Sequence, residues 1–184
     1  YSSQRLAVTV SLPTIYAQAG VAAASAAEGT ALAAAVNMTG NIASGRLLQR
    51  GWRAPVLLRI GYGAMLVGAI VAFAPWSDTG SAGVAAVRYA GALLFSAVGG
   101  LVPGTLFSVA VRAAPDESTV STTVGWMQQW SSFGQFAGPP LAAWTAALAG
   151  GWHVVWWMTG TLALAGLALS FAIQHFLQRQ GGPA

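Results

Sequence analysis

The chain has 184 residues, of which 55% are hydrophobic and 7% are charged. Because a soluble domain carries about 25% charged residues, this composition excludes an ordinary soluble protein and favours a helical membrane protein. The net charge of +4 comes from eight arginines and four acids. The arginines lie at the ends of apolar runs, so membrane topology explains them and nucleic acid is not an expected partner. Without cysteine there is no disulfide framework or thiolate metal site, and we predict no cofactor.

Six apolar segments are long enough for membrane helices, which need about 20 residues. We therefore predict an all-α membrane protein with six transmembrane helices. The predicted segments are residues 1–18, 20–45, 54–76, 84–111, 119–147 and 152–176. The first run lacks the charged start and cleavage site of a signal peptide, and no methionine precedes it. We expect Tyr1 to be an internal residue of a longer parent.

Polar side chains share one face of the first two segments, at about 3.6 residues per turn. Arg5 belongs to this face in the first segment, and Asn37 and Asn41 belong to it in the second. Amides in lipid need partners, so this face should meet other helices or water. Two interpretations of Arg5 remain open: it snorkels to the cytoplasmic headgroups, or it faces a water-filled cavity. The asparagines are either hydrogen-bonded between helices or in contact with a ligand.

The fourth and fifth segments carry packing and polar motifs. Gly100 and Gly104 belong to a ridge of small residues that repeats every four positions, next to Pro103. The fifth segment has the richest polar face. Its members are Gln128, Ser132, Gln135 and Pro139. We expect Gly138 and Pro139 to bend or open this helix, because proline removes a backbone donor.

The third and sixth segments have almost no polar side chains. Tyr62 is the one polar side chain in the interior of the third, and the sixth has only hydroxyls there. We expect both segments to be peripheral and lipid-facing, with Arg59 snorkelling back to the cytoplasmic side. His153 and His175 lie at opposite ends of the sixth segment and cannot share a metal.

Three of the eight arginines fall in the stretch from residue 40 to residue 53, between two nearly uncharged runs. We predict a short cytoplasmic loop here, since arginine near a helix end marks the cytoplasmic side. The loop residues are Gly40, Ser44, Arg46, Arg50, Gly51 and Arg53. With Arg59, Arg112 and Arg179, six of the eight arginines lie inside, and the carboxyl terminus is cytoplasmic. We expect residues 78–83 to form an outer turn.

The order of segments, two polar-faced and one apolar, occurs twice. Such a three-plus-three pattern is typical of an inverted-repeat transporter half. The stretch 40–53 also resembles the signature loop of the major facilitator superfamily, with Ser44 where an acid normally stands. The run 134–140 is similar to the glycine and proline signature of the fifth helix of a half. Together with residues 12–16 and 103–108, it most resembles the cyanate-transporter-like branch.

This resemblance implies helices seven to twelve of a twelve-helix carrier in a bacterial cytoplasmic membrane, with the amino-terminal half and the lipid bilayer as partners. The implied function is secondary active transport of a small polar or anionic solute by alternating access. We expect solute contacts from Arg5, Asn37, Asn41, Gln128, Ser132 and Gln135. Glu28 is the one acid inside a helix and is expected to face the outer headgroups, so the carrier of a coupling proton belongs to the other half.

Two other classes remain open, a six-helix channel lined by the same amides and a structural membrane module without carrier activity. An embedded enzyme is not expected, because the sequence offers no paired nucleophile and base and no buried acid pair.

Overall fold

The computed structural model describes residues 1–18, 23–74 and 82–179, and these are almost entirely helical. The helices are α1 (Ser2–Gln18), α2 (Ala23–Gln49), α3 (Ala54–Phe73), α4 (Ala82–Gly99), α5 (Leu101–Ala113), α6 (Val120–Leu148) and α7 (Val155–Arg179). Short 3-10 helices at Glu117–Thr119 and Trp152–Val154 precede α6 and α7. The predicted all-α class is confirmed for the described residues.

Helices α4 and α5 form one span that is interrupted at Gly100. The backbone of Gly100 is helical, and its N–H donates to the carbonyl oxygen of Ser96 at 3.0 Å. Pro103 has no N–H to offer the carbonyl of Gly99, which weakens the helix at this point. Counting α4 and α5 together, the described residues form six helical segments, the number that the sequence predicts.

Several sequence-based expectations fall outside the described residues. They are the start of the second segment at residue 20, the end of the third at residue 76, the outer turn at residues 78–81 and the tail after residue 179. The side chains of residues 13–16 and of His153 also lie outside the description.

Among the described residues, three helices are long and apolar enough to cross a membrane: α3, the combined span Gly83–Ala113, and α7. This supports a membrane protein. The other predicted spans are less apolar or shorter. Polar side chains on one face lower the hydropathy of α2 and α6, and α1 has 17 residues.

The predicted loop at residues 40–53 is wrong over most of its length, because α2 continues to Gln49. Residues 46–49 are all good helix formers, and no glycine or proline occurs between Arg46 and Arg50. Gly51 has φ of +84°, and the N–H groups of Gly51 and Trp52 donate to the carbonyls of Leu48 and Leu47, both at 3.0 Å. This glycine cap ends the helix, so the true turn consists of residues 50–53.

Gly40 and Ser44 therefore lie inside α2, where they pack against the α4–α5 span. A Cβ on Gly40 would lie 2.9 Å from Cα of Gly100, and a Cβ on Gly104 would collide with Oγ of Ser44. Real side chains do not approach backbone atoms so closely. The glycines thus allow the two helix backbones to meet, which is the packing that small residues permit between membrane helices.

Helix α3 is not peripheral, as the sequence led us to expect, but the most buried of the described helices. Its buried side chains include Leu57, Leu58 and Met65, none of which is exposed to any degree. They pack mainly between α4 and α7. The prediction failed because an apolar face fits a protein interior as well as it fits lipid. Helix α7 is more exposed than α3, since Leu164, Leu169 and Phe171 are at least half exposed, and its contact with lipid stays a prediction.

Of the two expected effects of the prolines, a bend or an opening of the helix, the opening does not occur, because α6 stays continuous through Pro139 and Pro140. Its glycines instead contact α1. A Cβ on Gly138 would lie 2.8 Å from Cα of Ser3, and one on Gly134 would lie 2.7 Å from Oγ of Ser3. The glycines of this run therefore serve a close crossing with α1.

Three helices end in a turn that carries an arginine, and these three ends lie on one side of the bundle. Contacts between Gly40 and Gly100, and between Ser44 and Gly104, show that α2 and α5 run parallel. The carboxyl ends of both helices, with Arg46 and Arg112 in their last turns, therefore lie on the same side. Helix α3 starts on this side, after the short turn that follows α2, and its Arg59 donates a hydrogen bond to Gln174 near the end of α7, so α3 and α7 run antiparallel.

The turn between α5 and α6 is held by Asp116. Its carboxylate accepts hydrogen bonds from the hydroxyl of Ser118 at 2.6 Å and from the N–H of Thr119 at 2.9 Å, as part of a capping box. These bonds lower the pKa of Asp116 below its ordinary value of 3.8. The capping interaction is therefore fully present above that value and is lost as the pH falls through the lowered pKa.

We predict that Gly40→Val destabilises the fold by about 1–3 kcal/mol, the usual cost of overpacking, because the new side chain meets the backbone of α4–α5. Gly45→Val is the matched control in the same helix, since nothing lies within 4 Å of its Cβ position. Thermal unfolding of the detergent-solubilised protein measures the difference. Equal unfolding midpoints for the two variants would contradict the close crossing.

Candidate functional site

A polar cavity of about 310 Å³ lies between α1, α2, α5 and α6. Five of the six side chains predicted to contact a solute meet in it, although they are far apart in the sequence. Neither α3 nor α7 contributes to its lining. The lining residues are Tyr1, Ser2, Arg5, Asn37, Met38, Asn41, Pro103, Gln128, Ser131 and Gln135. Met38, Asn41 and Gln128 are exposed, so the cavity is open on one side.

A second cavity of about 260 Å³ adjoins the first and is more apolar. The two cavities share Tyr1, Ser2, Pro103, Gln128 and Ser131 as lining residues. Beyond this shared wall the second cavity is lined largely by aromatic and aliphatic side chains. They include Tyr62, Leu106, Phe107, Met127 and Trp130. A polar and an apolar compartment therefore lie side by side.

Asn37 is the anchor of the polar cavity. Its side chain is 6% exposed, and its Nδ2 donates to the carbonyl oxygen of Ser96 at 2.8 Å and to the hydroxyl of Tyr1 at 2.9 Å. The Tyr1 hydroxyl donates in turn to Asn37 Oδ1 at 3.2 Å. The hydroxyl of Ser96 donates to the carbonyl of Ala33. Each polar group of Asn37 has a partner, as burial requires, so this amide holds α1, α2 and α4 together.

Arg5 is the one charged side chain in the lining of either cavity. It is partly buried, and its Nε is buried without a hydrogen-bond partner among the described residues. It lines the same cavity as Asn37, which is in the middle of α2. The structure places the Arg5 side chain in the lining of the cavity, and both interpretations of its role remain predictions. A guanidinium among amides and hydroxyls, with no carboxylate in the lining, attracts anions.

The polar face of α6 meets α1 through Ser131. Its hydroxyl lies 2.7 Å from the hydroxyl of Ser2 and accepts a hydrogen bond from Gln135 Nε2 at 3.4 Å. Ser132, the residue that the sequence favoured, is exposed and lies outside the lining. At about 100° per residue, Ser131 and Ser132 lie about 50° to either side of the mean direction of Gln128 and Gln135. Periodicity alone could not choose between them, and the position of α1 decides for Ser131.

Gln4 is a buried polar residue that the sequence analysis missed. It is completely buried, and its Nε2 donates to the carbonyl oxygen of Thr159 in α7 at 2.5 Å. Its Oε1 is also buried and has no partner among the described residues. Gln4 lies beside Arg5 in the sequence but on another face of α1, so the search for a single polar stripe passed over it. Its role is to join α1 to α7 behind the cavity.

Among the described residues, no group of three histidine, cysteine or acidic side chains lies close enough to hold a metal ion. No family model matches the chain, and no curated protein and no solved structure matches it.

We predict that Tyr1→Phe lowers the free energy of unfolding by about 1–3 kcal/mol, because it removes a hydrogen-bond partner from the buried Asn37. Tyr62→Phe is the matched control: Tyr62 is buried, and its hydroxyl makes no hydrogen bond to a described residue. Unfolding midpoints of both variants in detergent test the difference. An equal shift in the two would show that the Asn37 network contributes nothing specific.

Proposed function

We propose that the chain is the carboxyl-terminal half of a secondary active transporter of the major facilitator class, which moves a small polar or anionic solute by alternating access. The observation that carries this proposal is the meeting of Arg5, Asn37, Asn41, Gln128 and Gln135 in one cavity. These residues come from α1, α2 and α6, three helices with polar faces. A solute site at a helix interface, within the depth of the membrane, is what a carrier of this class requires.

The chemistry of the cavity supports an anionic or strongly polar solute. Arg5 supplies a positive charge, and the amides of Asn41, Gln128 and Gln135 offer donors that can turn toward a carboxylate or other oxyanion. Asn41 and Gln128 are exposed and make no side-chain hydrogen bond to a described residue, so they are available to a ligand. Asn37 is already paired and supports the wall of the cavity.

The exposed surface around the cavity supports a second half. Met38 and Ile42 on α2 are 65% and 55% exposed, and Phe133 and Phe136 on α6 are 63% and 81% exposed. Large apolar patches of this kind mark surfaces that meet protein or lipid. In the proposal, the amino-terminal six-helix half covers the open side of the cavity, and the two halves rock about the solute.

The proposal includes a location in the bacterial cytoplasmic membrane, with the carboxyl terminus in the cytoplasm. The gathering of Arg46, Arg112 and Arg179 at one end of the bundle supports this orientation by the positive-inside rule.

We predict that Arg5→Ala in the full-length parent abolishes uptake of the transported anion without reducing expression, because the cavity loses its one positive charge. Uptake into cells or membrane vesicles is measured with a panel of labelled small carboxylates and inorganic anions. Arg112→Ala is the control, since Arg112 is exposed at the end of α5 and outside both cavities. Wild-type uptake by Arg5→Ala would exclude Arg5 as a solute contact.

The same vesicles distinguish a carrier from a pore. We expect uptake that saturates with solute concentration and a preloaded unlabelled solute that exchanges for the labelled one. Conductance that rises linearly with voltage and shows no exchange would identify a channel. The absence of both activities across the panel would favour a structural membrane module.

A further inference from the structure

A second arginine, which has no acidic partner among the described residues, lies outside the lining of both cavities, where α3 packs against α7. Arg59 is partly buried, and its guanidinium carbon lies 4.4 Å from the ring centroid of Phe171. One of its terminal nitrogens donates to Oε1 of Gln174, whereas its Nε is buried and has no hydrogen-bond partner among the described residues. Every contact that the structure gives this guanidinium is therefore to a neutral group.

A guanidinium in a largely apolar setting needs an anion, because burial of an unpaired charge costs several kcal/mol. The described carboxylates do not supply one: Glu28 lies on α2, and Asp116 and Glu117 lie in the turn before α6, where they are exposed. None of the three forms an ion pair with Arg59. Any counter-anion of Arg59 therefore comes from outside the described residues.

The antiparallel packing of α3 and α7 brings further positive charge to the same place. Because Arg59 contacts Gln174, the start of α3 lies at the level of the end of α7. Arg53 precedes Arg59 by six residues, and Arg179 follows Gln174 by five. At the rise of a helix, both therefore lie about 8–9 Å closer to the end of the bundle than the contact between Arg59 and Gln174. Both are exposed. Three arginines therefore line the cytoplasmic end of one helix seam, one deep and two at the surface.

On the side of these arginines that faces away from the end of the bundle, the surface of α3 and α7 is apolar and exposed. Ile60 and Val67 on α3 are 41% and 52% exposed, and Phe171 and Leu164 on α7 are 50% and 52% exposed. Each pair is seven residues apart, so each forms one stripe along its helix. Since the helices are antiparallel, Ile60 and Phe171 lie near the arginines and Val67 and Leu164 lie deeper. The apolar surface thus runs from the charged end toward the membrane centre.

We propose that this seam binds an anionic phospholipid of the cytoplasmic leaflet. Arg59, Arg53 and Arg179 hold its phosphate, and an acyl chain lies along the exposed stripes of α3 and α7. The apolar stripes favour a phospholipid over free phosphate, and basic pockets between helices on the cytoplasmic side are suited to anionic headgroups. This proposal requires that the chain spans a membrane but does not depend on transport.

Native mass spectrometry of the full-length protein in detergent tests the site, with phosphatidylglycerol as the probe and with phosphatidylcholine and inorganic phosphate as comparisons. We expect phosphatidylglycerol to bind more tightly than either. Arg59→Gln should weaken its binding at least fivefold, from about 1 kcal/mol per arginine near the headgroups. Arg88→Gln is the matched control, because Arg88 is also partly buried with an unpaired Nε but lies near the start of α4 at the opposite end of the bundle.

If Arg59→Gln fails to fold, the double variant Arg53→Gln/Arg179→Gln serves, since both side chains are exposed. It should weaken phosphatidylglycerol binding more than tenfold. Equal binding of phosphatidylcholine would overturn the preference for an anionic headgroup, and equal binding of inorganic phosphate would identify a free-anion site. Unchanged phosphatidylglycerol binding by these variants, or an equal loss with Arg88→Gln, would remove the site from the α3–α7 seam.

Discussion

The close contact between α2 and the α4–α5 span is the constraint on which the rest of the structure depends. With Gly40 and Gly100 at the crossing, the two backbones approach until the side chain of Asn37 reaches the carbonyl of Ser96. That bond fixes the amide where the Tyr1 hydroxyl can pair with it. A side chain at either glycine would separate the helices and remove the bond from Asn37 to Ser96, and the loss of a partner from a buried amide costs about 1–3 kcal/mol in addition to the steric strain.

The cavity is a consequence of this crossing. Glycines bring α2 against α5 and bring α6 against α1, and the cavity lies between these two closely packed pairs. Asn41 and Gln135 line it from the two sides. Because rigid backbone contacts set the positions of its walls, the polar groups face each other across a defined space. The glycine motifs and the polar stripes are separate features of the sequence. Together they form the cavity, because the glycines set the distance between its walls and the stripes supply its polar groups.

The polar faces of the helices could be predicted from the sequence because hydrogen-bonding side chains in an apolar setting must gather where partners or water are found. Five of the six expected residues share the cavity for this reason. The choice between Ser131 and Ser132 could not be made, since both lie equally close to the stripe. Only the packing of α1 against α6 distinguishes the two serines, and this packing depends on the tertiary structure.

Other parts of the fold carried a misleading signal. The scarcity of polar side chains on α3 predicts contact with lipid, but the interior of a helix bundle is as apolar as lipid, so hydropathy does not distinguish the two surroundings. At residues 40–49 the arginine and the glycines favoured a loop. The stretch is helical because one glycine lies at a helix crossing and Arg46 extends from the last turn of α2. A charge near a membrane surface marks depth, and it does not mark the end of a helix.

Arg5 and Arg59 both lack a carboxylate partner among the described residues, but their surroundings favour different anions. Both are partly buried, both have a buried Nε without a partner, and the structure shows no carboxylate paired with either among the described residues. Arg5 shares an open cavity with amides and hydroxyls. A small anion can enter and leave this cavity, because the side-chain N–H and O–H groups can replace the water molecules that solvate it. Arg59 rests on an aromatic ring above an exposed apolar stripe, where an anion gains most if it carries its own hydrocarbon chain. The surroundings of each guanidinium, and not its charge, therefore decide whether the expected anion is a mobile solute or a resident lipid.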